Sequence, residues 1–504
     1  MRSSIFSPRF PPGKQLVLTW SLPQPFGGMT GALMHRSRAF VRLAHRPVDI
    51  LTLDDRLDLT EVTQRLTRSG EVIDGIRILN IWDWLREHDV SGGPGADHGH
   101  APLPADADAN ERERDGRVLV RELRNGDAGV VAVDRFRSDG SLLMTDRKDT
   151  ETNKRTVVLY DRSSTPVRSW GSVWGIYRYW LDELISGEPS FLLVDSKTTA
   201  RFARTYRRAN VVTMHVLHGS HRTADGSALS RSRGDVVENL NDFDSAVVLT
   251  RGQRDQLVAD VGPQPNLTVI PNGFDGAPAG RGAAPVRVRG SGLMLASLIA
   301  RKRVSHAIKA VAAARRSVDV TLDVYGEGER RPLLEKTIRS QGVVDSVHLL
   351  GHDSSARAAF ASADFMLLTS KAEGLPLALV EGMAAGCIPI AYDIPYGPAD
   401  VISDGKNGFL VPAGDVDALA ERINRLQRMP VKTVDAMRRR AAATAGRFDD
   451  RAVVRAWGRE MQAAFERKHS VSGPEPLVRR VRHIAGRAKR RVARLSGRAG
   501  RSGR

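Results

Sequence analysis

Short, continuous apolar runs alternate along this chain with stretches whose apolar positions recur every three or four residues. Runs of the first kind predict buried parallel strands, and stretches of the second predict helices packed against them. Strands are predicted at 15–20, 49–53 and 76–81, with a glycine-rich loop over 23–31 and a helix over about 32–44. Residues 91–115, with Gly-Gly-Pro-Gly and several Asp and His residues, read as a surface loop. The period then changes to two between 117 and 168, where apolar alternation is broken by Arg124-Asn-Gly126 and Ser138-Asp-Gly140. Those are hairpin turns, so an antiparallel sheet is inserted here. A helix over 174–185 and strands at 191–194, 210–217, 245–250 and 267–270 resume the first pattern. A Gly/Ala/Pro/Arg-rich stretch then separates it from a second alternating series, with strands at 293–299, 318–325, 347–350, 365–368 and 388–392. The pattern predicts an α/β protein with two Rossmann-like domains. The expected divisions are a domain over 1–275 with a β insert at about 116–168, a hinge over 276–290, and a second domain over 291–450. A returning helix over 451–468 and a tail over 469–504 complete the chain.

The chemistry gathers in Thr369-Ser-Lys-Ala-Glu-Gly-Leu-Pro-Leu, which follows the apolar run ending at Leu368. Pro376 stands where a helix should begin, and Gly386 can supply the left-handed residue that stops it. Backbone amides at such a helix start attract phosphate. Glu373 and Glu381 would repel that anion unless they face its hydroxyls, and a ligand with both groups is a nucleotide sugar.

Length and composition set bounds. A chain of 504 residues, 41% hydrophobic and 27% charged, is large enough for two globular cores. The single cysteine, Cys387, excludes an internal disulfide framework and reads as a packed thiol. His98 and His100 lack further ligands nearby and read as solvated. No signal-length apolar stretch and no run of about 18 apolar residues occurs, so the expectation is a cytoplasmic protein. The net charge of +18 is concentrated at the end: residues 474–504 hold ten arginines and one lysine against one acid, Glu475. Apolar residues recur through this tail at helical spacing, a pattern suited to an anionic membrane surface; nucleic acid, held by charge alone, is the rival, and a solvated tail the bland alternative.

Two glutamates separated by seven residues around Gly-Leu-Pro resemble the donor-site signature of the retaining family 4 glycosyltransferases. The stretches Asp134-Arg-Phe-Arg-Ser-Asp-Gly-Ser-Leu142 and Val194-Asp-Ser-Lys197, together with the β insert, resemble the teichoic acid α-glycosyltransferases acting on poly(glycerol phosphate) or poly(ribitol phosphate), and relatives that glycosylate serine-rich proteins. The resemblance implies a GT-B arrangement, two Rossmann-like domains facing across a cleft, with the acceptor on the N-terminal side and the nucleotide sugar on the C-terminal side. It implies that Glu373 addresses the donor sugar and Glu381 the ribose, with Gly374, Leu375, Pro376 and Leu377 lining the donor. It places Gly27 and Gly28 beside the diphosphate and acceptor, and His218 over the sugar, with His221 the second choice and His215 a packing residue. It also implies that the insert can support oligomerisation.

One position departs from the pattern. The family's lysine corresponds to Lys302, but its arginine five positions earlier is Ser297 here. Arg301 or Arg303 could replace it, and Arg303 is the candidate taken for the donor site. The expectation is a hexosyltransferase moving glucose or N-acetylglucosamine, from a UDP-sugar, to a hydroxyl of an anionic glycerol- or ribitol-phosphate polymer, without metal or other cofactor and without specific nucleic-acid binding. Transfer to protein Ser or Thr, or a non-catalytic partner subunit, are the alternatives, the latter favoured by Ser297.

Overall fold

The computed structural model describes residues 9–23, 27–90, 99–104, 108–126, 129–223, 226–274, 286–353 and 355–470. The first strands are β1 (Lys14–Thr19), β2 (Val48–Thr52) and β3 (Ile76–Asn80). Six strands of the insert follow: β4 (Asn110–Arg114), β5 (Arg117–Asn125), β6 (Gly129–Phe136), β7 (Leu142–Lys148), β8 (Arg155–Tyr160) and β9 (Pro166–Trp170). The chain then returns to the first sheet with β10 (Ser190–Val194), β11 (Val211–Leu217), β12 (Ser245–Val248) and β13 (Leu267–Val269). The C-terminal sheet holds β14 (Val288–Leu295), β15 (Thr321–Tyr325), β16 (Val347–Gly351), β17 (Ala363–Leu368), β18 (Ile388–Asp393) and β19 (Phe409–Pro412).

The N-terminal sheet is parallel in the order β13-β12-β11-β10-β1-β2-β3, and the C-terminal sheet is parallel in the order β16-β15-β14-β17-β18-β19. Each order reverses once, between β1 and β10 and between β14 and β17. Ligands of open α/β sheets bind at the carboxyl ends of the strands flanking such a reversal, because the following loops diverge there and leave a crevice. The loops after β1, β10, β14 and β17 are therefore the places to look for a site.

The insert forms its own antiparallel sheet, β4 to β9 in sequence order. Met144, Val157 and Leu159, on one face of it, share an apolar cluster with Trp82, Trp180 and Tyr177 of the N-terminal domain. The insert is longer at both ends than the alternation predicts. Strand β4, Asn-Glu-Arg-Glu-Arg, has no apolar face to reveal it and lies in the stretch expected to be loop. It is held as an edge strand by pairing with β5, and Arg112 in it forms an ion pair of 2.6 Å with Asp55.

Two further expectations are revised. The first long helix spans Gly28–Ala44, so it begins four residues before the predicted start. Gly28 and Gly31 read as loop residues, yet nothing in the first helical turn excludes glycine, and the Gly31 amide donates to the Gly27 carbonyl at 3.0 Å. Strand β14 begins at Val288, inside the stretch read as hinge; residues 276–285 of that stretch and the basic tail at 471–504 lie outside the described residues. Among the described residues, no helix is long and apolar enough to cross a membrane.

The two domains share buried surface. Leu33, Phe40, Met214 and Leu249 of the first belong to one apolar cluster with Leu375, Leu379, Phe448 and Trp457. The last described helix, Asp450–Ser470, returns to the first domain, where Trp457 meets Phe40 edge-on with ring centroids 6.0 Å apart. Lys468 pairs with Asp244 at 2.9 Å near the far end of that helix. A polar tie crosses as well: Asp400 of the second domain accepts from the amides of Arg251 and Gly252, at 2.9 and 3.1 Å, at the start of the Arg251–Val261 helix of the first. Carboxylates at this end of a helix satisfy orphan amides and oppose the dipole. Asp400→Ala is expected to cost about 1 kcal/mol, measured as a lower urea midpoint with unchanged slope; an unmoved midpoint would show that the contact contributes nothing to stability.

Candidate active site

Glu373 sits in the loop after β17, and its carboxylate is almost enclosed. Lys302 Nζ donates to Oε1 at 2.6 Å, Ser370 Oγ donates to the same oxygen at 2.6 Å, and Arg301 Nη1 lies 3.2 Å from Oε2. Lys302 and Arg301 come from the loop after β14, so the reversal of the C-terminal sheet brings both segments together. Burial raises the carboxyl's proton affinity, but the charges of Lys302 and Arg301 and their hydrogen bonds outweigh it and hold Glu373 below the usual glutamate range. The two loops are stitched further: Thr369 Oγ1 donates to the carbonyls of Lys302 and Arg303 at 2.9 and 3.0 Å, and Arg301 donates to the Ala372 carbonyl at 2.8 Å.

Ser297 is exposed just beyond β14. A second cation beside Glu373 therefore comes from Arg301, adjacent to Lys302. Arg303 takes a left-handed backbone (φ 46°) before the Val304–Ala314 helix, and its guanidinium is directed toward Gly414. Pro376 caps a helix over Leu377–Ala384, and Gly386 takes φ +78° beyond its end. Leu375 and Pro376 are buried and Leu377 is half-buried. Glu381 lies within that helix, 3.3 Å from Arg357 Nε. Cys387 is buried, and desolvation pushes its thiol up to about 12, so it is packed rather than nucleophilic.

On the N-terminal side, His218 stands just beyond β11 and Asp195 just beyond β10. His218 Nε2 donates to Asp195 Oδ1 at 2.5 Å, while Arg36, from the Gly28–Ala44 helix, grips both carboxylate oxygens at 3.0 and 2.6 Å. Asp195 is buried, and burial opposes its ionisation; the charges of Arg36 and His218 overcome that and hold it well below the ordinary carboxyl value. Arg36 also lies 5.1 Å over the Trp457 ring. One buried carboxylate thus orients His218 and ties it to the first helix and, through Trp457, to the returning one. Neither Arg36 nor Asp195 was marked by sequence reasoning as a partner of His218. The placement of Asp195 after an apolar run was the available signal, and nothing in the sequence pointed to Arg36.

His215 is buried within β11, held to the Val194 carbonyl at 2.8 Å and pushed down to about 4 by desolvation, consistent with packing. His221 is also buried, bonded to Asp260 at 2.8 Å and stacked on Tyr396 of the second domain with ring centroids 5.9 Å apart. It contributes to the domain contact rather than lining the cavity beside His218. Gly27 is the extended residue preceding the first helix and has no side chain to cap it; both Gly27 and Gly28 are exposed. A first turn left uncapped in this way can offer amides to an anion. Among the described residues, no group of three or more His, Cys, Asp or Glu is placed to hold a metal.

The two domains meet between Gly374 and His218. A Cβ built on Gly374 would collide with the carbonyl oxygen of His218 and come within 3.3 Å of Leu249 Cδ1. Glycine at 374 is what lets the glutamate-bearing loop reach His218. A cavity of about 220 Å³ opens beside His218, lined by Met29, Lys197, Thr198, Arg233 and Val236 among others.

Two consequences can be measured. Gly374→Ala should cost roughly 1–3 kcal/mol through overpacking, whereas Gly31→Ala, with no atom within 4 Å of the added methyl, should gain roughly 0.5–1 kcal/mol as a helix substitution; denaturant midpoints report both. Because its folded value is depressed, Asp195 stabilises the fold above the ordinary carboxyl value of 3.8, and this contribution fades as pH falls through the folded value. Asp195→Asn should therefore cost roughly 3–5 kcal/mol at neutral pH by stranding Arg36, with the gap from wild type narrowing below pH 3.8; a gap independent of pH would contradict the ion-pair assignment.

Residues 292–444 match the family described as glycosyl transferases group 1. An exopolysaccharide phosphotransferase of Streptomyces coelicolor is 37% identical over 187 residues, 36% of this chain and 20% of that protein. The chain thus spans only a fifth of that relative's length. The poly(ribitol-phosphate) α-N-acetylglucosaminyltransferase of Staphylococcus aureus is 21% identical over 446 residues, 79% of this chain and 90% of that one. Among solved structures, a mutant of S. aureus TarM in complex with fondaparinux, α-GlcNAc-glycerol and UDP superposes with a TM-score of 0.67 at 18% identity, covering 89% of this chain and 99% of that one. Residues 292–444 therefore match the glycosyl transferases group 1 family, set opposite a second Rossmann-like domain in the GT-B arrangement, in a protein that resembles the teichoic acid α-glycosyltransferases.

Proposed function

We propose that this protein is a retaining hexosyltransferase of the family 4 type that moves glucose or N-acetylglucosamine from a nucleotide sugar, UDP-linked, to a hydroxyl of a glycerol- or ribitol-phosphate polymer. The observation that carries the reading is the approach of the Glu373-Gly374 loop to His218. It joins a carboxylate and two cations from one domain to a carboxylate-anchored histidine from the other. A hexose held there would have Glu373 and the helix after Pro376 on one side and His218 on the other, with Leu375 and Leu377 against it. Lys302 and Arg301, now paired with Glu373, would share their charge with the donor diphosphate, and amides at the starts of the two site helices would take up more of it. Glu381 would face the ribose, and Gly27 and Gly28 would admit the diphosphate and acceptor. Arg303 belongs to the outer part of this pocket in the same reading. The leaving phosphate would assist attack on the face it departs from, so the anomeric configuration is kept.

The relative aligned over 79% of this chain favours the polymer acceptor, since poly(ribitol-phosphate) stands in the name of that transferase, nine tenths of whose length aligns with this chain. Arg301 beside Glu373 supports an active enzyme despite Ser297, because it restores a second cation. The nucleotide sugar acts as co-substrate, with no further cofactor in this reading. A location at the cytoplasmic face of the membrane, contact with anionic lipid through the basic tail, and self-association through the β insert go with it.

The test is release of nucleoside diphosphate by the full chain across UDP-, GDP- and ADP-sugars, with poly(glycerol phosphate), poly(ribitol phosphate), a serine-rich peptide or no acceptor. Stimulation of one UDP-sugar by a polymer is expected, and Glu373→Gln and Glu381→Gln should each lower turnover by about 10²-fold or more. Unchanged turnover in both variants would refute the assignment. Stimulation by the peptide alone would move the acceptor to protein, and silence with nucleotide still bound would favour a partner subunit, for which recovery of turnover in Ser297→Arg is the check.

A further inference from the structure

The cavity beside His218 carries an imbalance of charge. Its lining includes two cations, Lys197 and Arg233, and one acid, Asp195, whose charge is already engaged by Arg36 and His218. Arg233 donates through Nη1 to the Gly219 carbonyl at 2.7 Å, and among the described residues it has no carboxylate partner and no hydrogen bond from Nε or Nη2. Lys197 reaches only the Ser232 hydroxyl, at 3.3 Å, and likewise has no acid partner among the described residues. Burial alone holds Arg233 below the usual arginine value, and its charge helps keep His215 and His221 neutral. Arg233 is half-buried, and a guanidinium held partly out of water with no carboxylate beside it can take an anion from outside the fold. A guanidinium with its fork left open suits the paired oxygens of a phosphate.

We propose that Arg233 and Lys197 form a phosphate subsite for the acceptor, holding a phosphodiester of the polymer one unit from the hydroxyl presented at His218. This rests on the function proposed above and adds to it the residues that recognise the acceptor's charge. The chemically similar alternative is the donor's diphosphate, and two observations favour the acceptor. Every lining residue lies between Met29 and Val237, within the N-terminal domain and apart from Lys302 and Glu373. At about 220 Å³ the cavity is smaller than the ~300–1,000 Å³ usual for drug-sized ligands; it suits a phosphate with a short polyol better than a nucleotide.

The test is binding to the full chain, independent of turnover: titration with inorganic phosphate, glycerol 3-phosphate and, separately, UDP, for wild type, Arg233→Gln, Arg233→Lys and Lys197→Gln. Lys197 is exposed, so its variant carries little folding risk. Glycerol 3-phosphate affinity should fall by about tenfold or more in Arg233→Gln, less in Lys197→Gln, and partly recover in Arg233→Lys, with UDP affinity unchanged throughout. Parallel loss of UDP affinity would assign the cations to the donor and overturn the proposal, as would glycerol 3-phosphate affinity that ignores both residues or is absent from wild type. If Arg233-dependent phosphate binding is found in a protein that transfers no sugar to the polymer, the subsite stands and the acceptor assignment of the preceding section falls.

Discussion

The carbonyl oxygen of His218 occupies space that a side chain at residue 374 would need, and this close approach governs how the two domains meet. Each domain opens its own crevice where its strand order reverses. Neither crevice alone combines a helix start, the Glu373 carboxylate and an oriented histidine. Contact through glycine places the two crevices mouth to mouth, and the returning helix, the Asp400 cap and the His221–Tyr396 stack keep them so.

Electrostatics at the junction follow one rule, in which each carboxylate is matched by basic side chains from a different element. Asp195 takes Arg36 and His218; Glu373 takes Lys302 and Arg301; Asp260 takes His221 and Arg222. Such pairs add little net stability over a well-packed apolar core, and removing one partner is severe because the other is left buried and charged. Their value here is geometric, since a bidentate pair permits few arrangements. Arg233 is half-buried without a carboxylate partner among the described residues, which is what the proposed phosphate subsite rests on.

Much of this was legible in sequence because the physics was local. Strands buried on both faces read as short, largely apolar runs, as in β10, β11 and β17. Gly386 and Pro376 bracket a helix through backbone restrictions that belong to those residues alone. What escaped was non-local or unpatterned. Strand β4 has no apolar face and exists through its pairing with β5. The early start of the Gly28–Ala44 helix was hidden by glycines that usually mark loops. Arg36 and Asp195 are separated by 159 positions, and only the fold brings them together. Ser297 looked like a missing cation until the loop after β14 placed Arg301 against Glu373.

A sugar bound to the Glu373 loop is proposed to touch His218 across the cleft as well. With 13 histidines in the chain, histidine-selective ¹³C NMR can follow the His218 ring, assigned through His218→Gln, during titration with UDP and then with UDP-glucose or UDP-N-acetylglucosamine. The account predicts that UDP leaves the His218 signal nearly in place and that the UDP-sugar moves it, with the shift abolished in Glu373→Gln. A His218 signal that does not respond to the sugar, while binding is evident elsewhere, would contradict it.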